Sequence, residues 1–202
     1  MFLLGGQQTG LLLTLLVTDT KTGRLIRKIG PKPAKSFLVG HMKHMECALG
    51  NAFVAATIDN GGASRNLRTP AASTTVFYTA NAAAALATSG IQAGTGTTAV
   101  VPTNTALVTL IAEGAGAGQM NYGACTIGVT AAGASECTLD VTRSIANNSG
   151  GTITVQEIGL SVRSEDTVPA ERQFLVIRDL TGAVAVSAGQ TLTIVYTYRT
   201  VL

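Results

Sequence analysis

The sequence predicts a mainly β fold: an antiparallel β-sandwich, jelly-roll or immunoglobulin-like, with an N-terminal β-hairpin and one helix. Two observations predict it. The last third, Asn147 to Leu202, is a succession of strand-length runs of β-branched and aromatic residues bounded by glycine-rich turns. In its final run Leu192, Ile194, Tyr196 and Tyr198 alternate with Thr191, Thr193, Val195 and Thr197. That period of two gives one apolar face and one threonine-lined face, as in a half-buried strand. The 202 residues read as an arm, hairpin and helix over 1–68, followed by a sandwich domain over 69–202.

From the N-terminus, Met1 to Gly10 reads as an arm that packs against a neighbour. It has no basic leader region, and neither it nor Leu11 to Val17 is long enough to span a bilayer. Leu11 to Asp19 and Arg24 to Ile29 read as strands around the turn Thr20-Lys21-Thr22-Gly23. Gly30-Pro31-Lys32-Pro33 should then break the structure, because proline cannot donate to a ladder. Ser36 is placed to cap a helix running to about Leu49, with Gly50 as its stop. Leu38, Met42, Met45 and Leu49 recur at helical spacing and are expected to face inward. Asp59-Asn60-Gly61-Gly62 is a turn, Arg65 to Ala72 an extended connection, and Thr74 to Tyr78 a strand. Ala80 to Ala87 fits a short helix or a small-residue strand equally. Thr105 to Ala112 is strand-like, and Gly114 to Gly118 is a loop. In Glu136 to Ile145 the residues Cys137, Leu139, Val141 and Ile145 should point inward. The turns at Asn147 to Gly151 and Ser187 to Gln190 separate the last three strands. No fixed period repeats, which excludes a solenoid or propeller.

Only 12% of residues are charged, against about 25% in an average soluble protein. Glu113 is the single charge between Arg68 and Glu136. A surface so poor in charge points to burial against other subunits, with hydroxyl-based solubility as the plainer alternative. Cys47, Cys125 and Cys137 form an odd set without metal-binding spacing. They read as reduced thiols of a cytosolic assembly, although Cys125 and Cys137 could pair across adjacent strands.

Three stretches carry a resemblance. "NNSGGTITVQEIGL" (Asn147 to Leu160), a strand ending in "IRD" (Ile177 to Asp179) and "VSAGQTLTIVYTYR" (Val186 to Arg199) resemble the C-terminal signature of a broad group of tailed-bacteriophage virion proteins. "VTDTKTGRLIRK" (Val17 to Lys28) and "IQAGTGTTAVVPTNTAL" (Ile91 to Leu107) are similar to upstream pieces of the same group, in the same order, whereas Arg65 to Ala85 matches nothing in it. The resemblance implies a structural part of a phage particle, assembled in the host cytoplasm and residing in the virion.

Each candidate for chemistry has a structural counterpart. Gly94-Thr95-Gly96-Thr97-Thr98 lacks the Lys-Ser/Thr end of a phosphate loop and leads to Pro102, not to a helix, so it reads as a turn. His41, His44 and Cys47 are zinc-ligand types three apart on the helix, but two such steps rotate by about 120° and no fourth ligand is near. They read as a polar flank beside the apolar stripe. Glu157 sits where its strand switches inward face from Val155 to Ile158, which predicts a bulge, with its carboxylate bonded to backbone or to Arg178. Both histidines lie in one short helix, so no Ser/His/Asp set can be written and no catalytic, cofactor or metal residue is assigned.

The stretch Lys21 to Lys43 holds half of the Lys and Arg residues: Lys21, Arg24, Arg27, Lys28, Lys32, Lys35 and Lys43. Without interleaved aromatics it argues against nucleic acid, and for an edge strand guarded by cations or docked on an acidic neighbour. The function expected is thus a non-enzymatic virion component, assembling with copies of itself and other virion proteins. The arm Met1 to Gly10 and the stretch Lys21 to Lys43 are its docking segments. Its place is the tail, collar or baseplate, with capsid decoration as the alternative. A carbohydrate- or surface-binding sandwich is the rival from another class, and it would need an exposed platform from Tyr122, Tyr196 or Tyr198.

Overall fold

A computed structural model describes residues 10–34, 37–50, 52–72, 76–168 and 170–201. Of the expected arm only Gly10 falls among them, and Lys35 and the proposed cap Ser36 lie outside. In chain order the elements are β1 (Gly10–Asp19), β2 (Leu25–Pro33), α1 (Val39–Gly50), β3 (Val54–Ile58), β4 (Ser64–Leu67), β5 (Gly90–Gly94) and β6 (Asn121–Ile127). There follow β7 (Ala131–Ala132), β8 (Glu136–Ala146), β9 (Ile153–Glu165), β10 (Glu171–Val186) and β11 (Gln190–Val201).

The chain is mainly β and sandwich-like, and every strand pair is antiparallel. One sheet runs β2-β1-β11-β8-β6, with β7 paired to β8; a second runs β10-β9-β5; β3 and β4 form a hairpin. The alternation read in the last strand holds. Leu192, Ile194 and Tyr196 are buried, and across the ladder they meet the inward Leu11, Leu13, Leu15 and Val17 of β1 in one core. Ile158, Leu160, Val162, Val184 and Val186 of the second sheet close that core from the opposite side. β1 pairs with β11 from Gly10↔Arg199 to Asp19↔Gln190, so residues 1–68 and 69–202 share a sheet.

Five expectations need correction. β2 is not broken at Gly30 but continues to Pro33, because among the described residues it is the edge of its sheet and a missing N–H there costs no ladder bond. Val76 to Tyr78 is a bend and not a strand (Thr74 and Thr75 lie outside the described residues). Tyr78 takes φ 50° and its N–H donates 2.8 Å to Ser164 Oγ, which removes it from any ladder. Thr105 to Ala112 is a loop with one bridge, Gly94↔Leu110, since the N–H groups of Val108 and Thr109 are taken by Glu157.

The fourth correction concerns α1. Met42, Met45 and Leu49 face outward, at 62%, 37% and 80% exposure, whereas His44 and Cys47 are buried. The inward row is Gly40, His44 and Cys47. A Cβ at Gly40 would lie 2.7 Å from the Leu175 carbonyl, so glycine lets the helix sit on the β10 backbone. Leu38 still packs inward, with Leu107 and Leu175. Ala80 to Ala87 is neither helix nor strand but turns, bridged at Ala82 to Cys125.

Candidate functional site

Three of the five stretches that carry the resemblance meet at one point inside the molecule. Glu157 on β9 and Arg178 on β10 form an ion pair, Nε to Oε2 2.8 Å, with both side chains fully buried. Glu157 also accepts from the backbone N–H groups of Gly96 (3.1 Å), Val108 (3.1 Å) and Thr109 (2.8 Å). Arg178 donates to the Thr98 carbonyl (2.9 Å) and to Asn104 Oδ1 (3.0 Å). Two opposite charges in a dry site hold only if their remaining polar atoms are satisfied, and here the loop between β5 and β6 satisfies them. A Cβ on Gly94 would lie 2.7 Å from Glu157 Cγ, and one on Gly96 would overlap Glu157 Oε1. The glycines of the "GTGTT" piece are therefore required by the carboxylate beneath them, and they cradle no phosphate. The expected Glu157–Arg178 contact is present. The register also slips here, between Leu180↔Glu157 and Val184↔Val155, although the additional residues come from β10 and not from β9.

A second polar cluster lies under α1. His44 Nδ1 is 2.7 Å from the Gly40 carbonyl, which can only accept, so this nitrogen carries the proton. Nε2 is then the acceptor for the Ser164 hydroxyl at 3.0 Å. A serine donating to an imidazole that a third group orients is the geometry of an activated nucleophile. Here Ser164 and His44 are 0% and 1% exposed, between Phe77, Tyr78 and Phe174. Burial pushes the His44 pKa down to about 4 and lowers that of the half-buried His41 as well. His41 Nδ1 bonds the Tyr78 hydroxyl, and Cys47 Sγ donates to the Arg68 carbonyl at 3.2 Å. The ligating atoms of the histidine–cysteine row thus go to different partners, and no group of three or more His, Cys, Asp or Glu gathers at metal-binding spacing among the described residues. Ser164 escaped sequence reasoning because nothing local marks it as a partner for a helix so far upstream.

Arg143 was missed as well. It lies fully buried on the inward face of β8, between Val141 and Ile145. Its donors reach the carbonyls of Gly123 (2.8 Å), Ser89 (2.7 Å), Ile91 (2.9 Å), Ala83 (3.2 Å) and Leu86 (2.8 Å). All five N–H groups of the guanidinium are satisfied by backbone, and the ring of Tyr122 lies 4.8 Å away. Burial lowers the Arg143 pKa and pushes the Tyr122 phenol up to about 12. The cation fixes the turns of residues 80–91 against the large sheet, as Arg178 fixes the loop beyond β5.

At the surface, Arg24 precedes the edge strand β2, which carries Arg27, Lys28 and Lys32, the position that the guarded-edge reading gives them. Lys43 is apart from them: its ammonium donates to the carbonyls of Ala55 (2.8 Å) and Ala56 (2.7 Å). A groove of about 530 Å³ is lined by Lys32, Pro33, Phe37, Leu38, Val100 and Leu180. Neither Ser164 nor His44 opens into it. Tyr122 and Tyr196 are buried, so they form no exposed platform for a glycan. The cysteines are free, with Cys125 opposite Arg143 and Cys137 opposite Ala132.

Comparison with known proteins returns no matching family model, no matching curated protein and no matching solved structure.

Proposed function

We propose that the chain is a non-enzymatic structural component of a tailed-phage virion, assembling through subunit contacts in the tail, collar or baseplate region. One observation carries the reading: three of the pieces that resemble phage virion proteins, "GTGTT", "QEIGL" and "IRD", meet at the closed Glu157–Arg178 pair. What these motifs share is a way of holding a loop on a sheet, which is an architectural task and needs no ligand. The charge-poor sequence and the outward apolar face of α1 support the assembly half of the reading.

The test is the composition and labelling of particles. Purified tailed particles should contain the chain in several copies. A gold label on the exposed turn Thr20–Thr22, between β1 and β2, should lie on the tail, collar or baseplate. A label over the head would select capsid decoration instead, and absence of the chain from particles would overturn the reading.

A further inference from the structure

We infer that helix α1 is a self-docking surface through which two copies of the chain pair antiparallel about a two-fold axis. This rests on the assembly reading above and supplies one of its contacts.

The outward row on α1 is Val39, Met42, Met45 and Leu49, exposed by 42%, 62%, 37% and 80%. A lone exposed leucine means little, but a row at helical spacing on a helix whose polar side faces the core is an interface without its other half. The row is self-complementary. Reversed about residue 44, position 39 falls on 49 and position 42 falls beside 45. In an antiparallel pair Val39 therefore meets Leu49 of the partner subunit, and Met42 meets Met45 of the partner subunit. That is the isologous contact a two-fold axis requires, and unbranched methionines adapt readily to such a seam.

Charge complementarity fixes the occupant and its direction. The helix has one cation and one anion beside the row, Lys43 and Glu46, both on the same flank. Under the same two-fold axis Lys43 faces Glu46 of the partner subunit, twice per pair. In a parallel two-fold pair the same flanks would lie on opposite sides of the seam, and neither charge would meet its counter-charge. The Lys43 ammonium is anchored by Ala55 and Ala56 and retains one proton for a further acceptor, so it is already ordered for the contact.

The experiment uses the full chain, with light scattering across a concentration series. The wild type should associate. Lys43→Glu and Glu46→Lys should each weaken association by about tenfold or more, and the double swap should restore it. Met42→Lys/Leu49→Glu should abolish association while leaving the far-UV spectrum and melting temperature in place, because both residues are exposed. A wild type that stays monomeric, or association indifferent to all four variants, would overturn the proposal. Its failure is distinguishable from that of the virion reading: particles that incorporate the Met42→Lys/Leu49→Glu variant normally refute the helix contact and leave the virion assignment standing.

Discussion

Glu157 shows how much a single carboxylate organises. Its four partners are Arg178 on β10 and three backbone N–H groups of the loop between β5 and β6, and all of them lose their acceptor together. Glu157→Gln leaves the Arg178 cation buried without its counter-charge, and breaking such a pair costs about 3–5 kcal/mol. Urea unfolding should show the unfolding free energy falling by that amount, as a lower midpoint at an unchanged slope. Replacing both partners with apolar residues should recover part of the loss. The contact was legible because Glu157 interrupts an apolar strand and Arg178 interrupts another. Arg143 was not legible, since its partners are five carbonyls, and carbonyls leave no mark in a sequence. His44 makes a separate prediction. Its folded pKa of about 4 lies below the ordinary 6.5, so between those values the unfolded chain binds a proton that the native chain refuses. Stability should therefore be intact above about pH 6.5 and should decline as the pH falls towards 4, by about 3 kcal/mol in all at 1.36 kcal/mol per pH unit. Asp59 and Asp19 are held below the usual carboxylate range and contribute their losses only at lower pH. Melting temperature against pH checks this, and His44→Leu should flatten the slope across the window.

At the scale of elements, period-two alternation located β8 and β11, whose inward residues reach the shared core, whereas β1, β9 and β10 were located as strand-length apolar runs; the centres of β9 and β10 are buried on both faces and do not alternate. The helix was located as well, but its orientation was inverted. Hydrophobicity favours Met42, Met45 and Leu49 inside; backbone approach at Gly40 and two hydrogen bonds on His44 place the other side inward. Gly40→Ala separates these influences. Helix propensity alone makes alanine more stable by about 1 kcal/mol. The Leu175 carbonyl 2.7 Å from the new Cβ should outweigh that gain, and chemical denaturation should show net destabilisation. Leu49→Ala, on the exposed side, should change stability by less than about 0.5 kcal/mol. The loops over 76–88 and 95–119 were misread or left open for a different reason. Their order comes from Ser164, Arg143, Glu157 and Arg178, all distant in sequence, so no local periodicity describes them.

The whole molecule is dominated by pairings distant in sequence. β1 lies between β2 and β11, and the inward residues of β11 complete the core that β1 begins. Such a topology folds in milliseconds to seconds, as all-β domains do, and not in microseconds. Stopped-flow far-UV dichroism should find refolding in that slower range; there is no tryptophan to report it. The β1–β11 ladder also sets a timetable on the ribosome. Asp19 ends one of these strands and Gln190 begins the other, and translation at about 5–20 residues per second needs roughly 10–35 s to cover the interval. Throughout that time Leu11, Leu13, Leu15 and Val17 lack their companion strand, and a nascent chain in this state is a natural client for a holding chaperone.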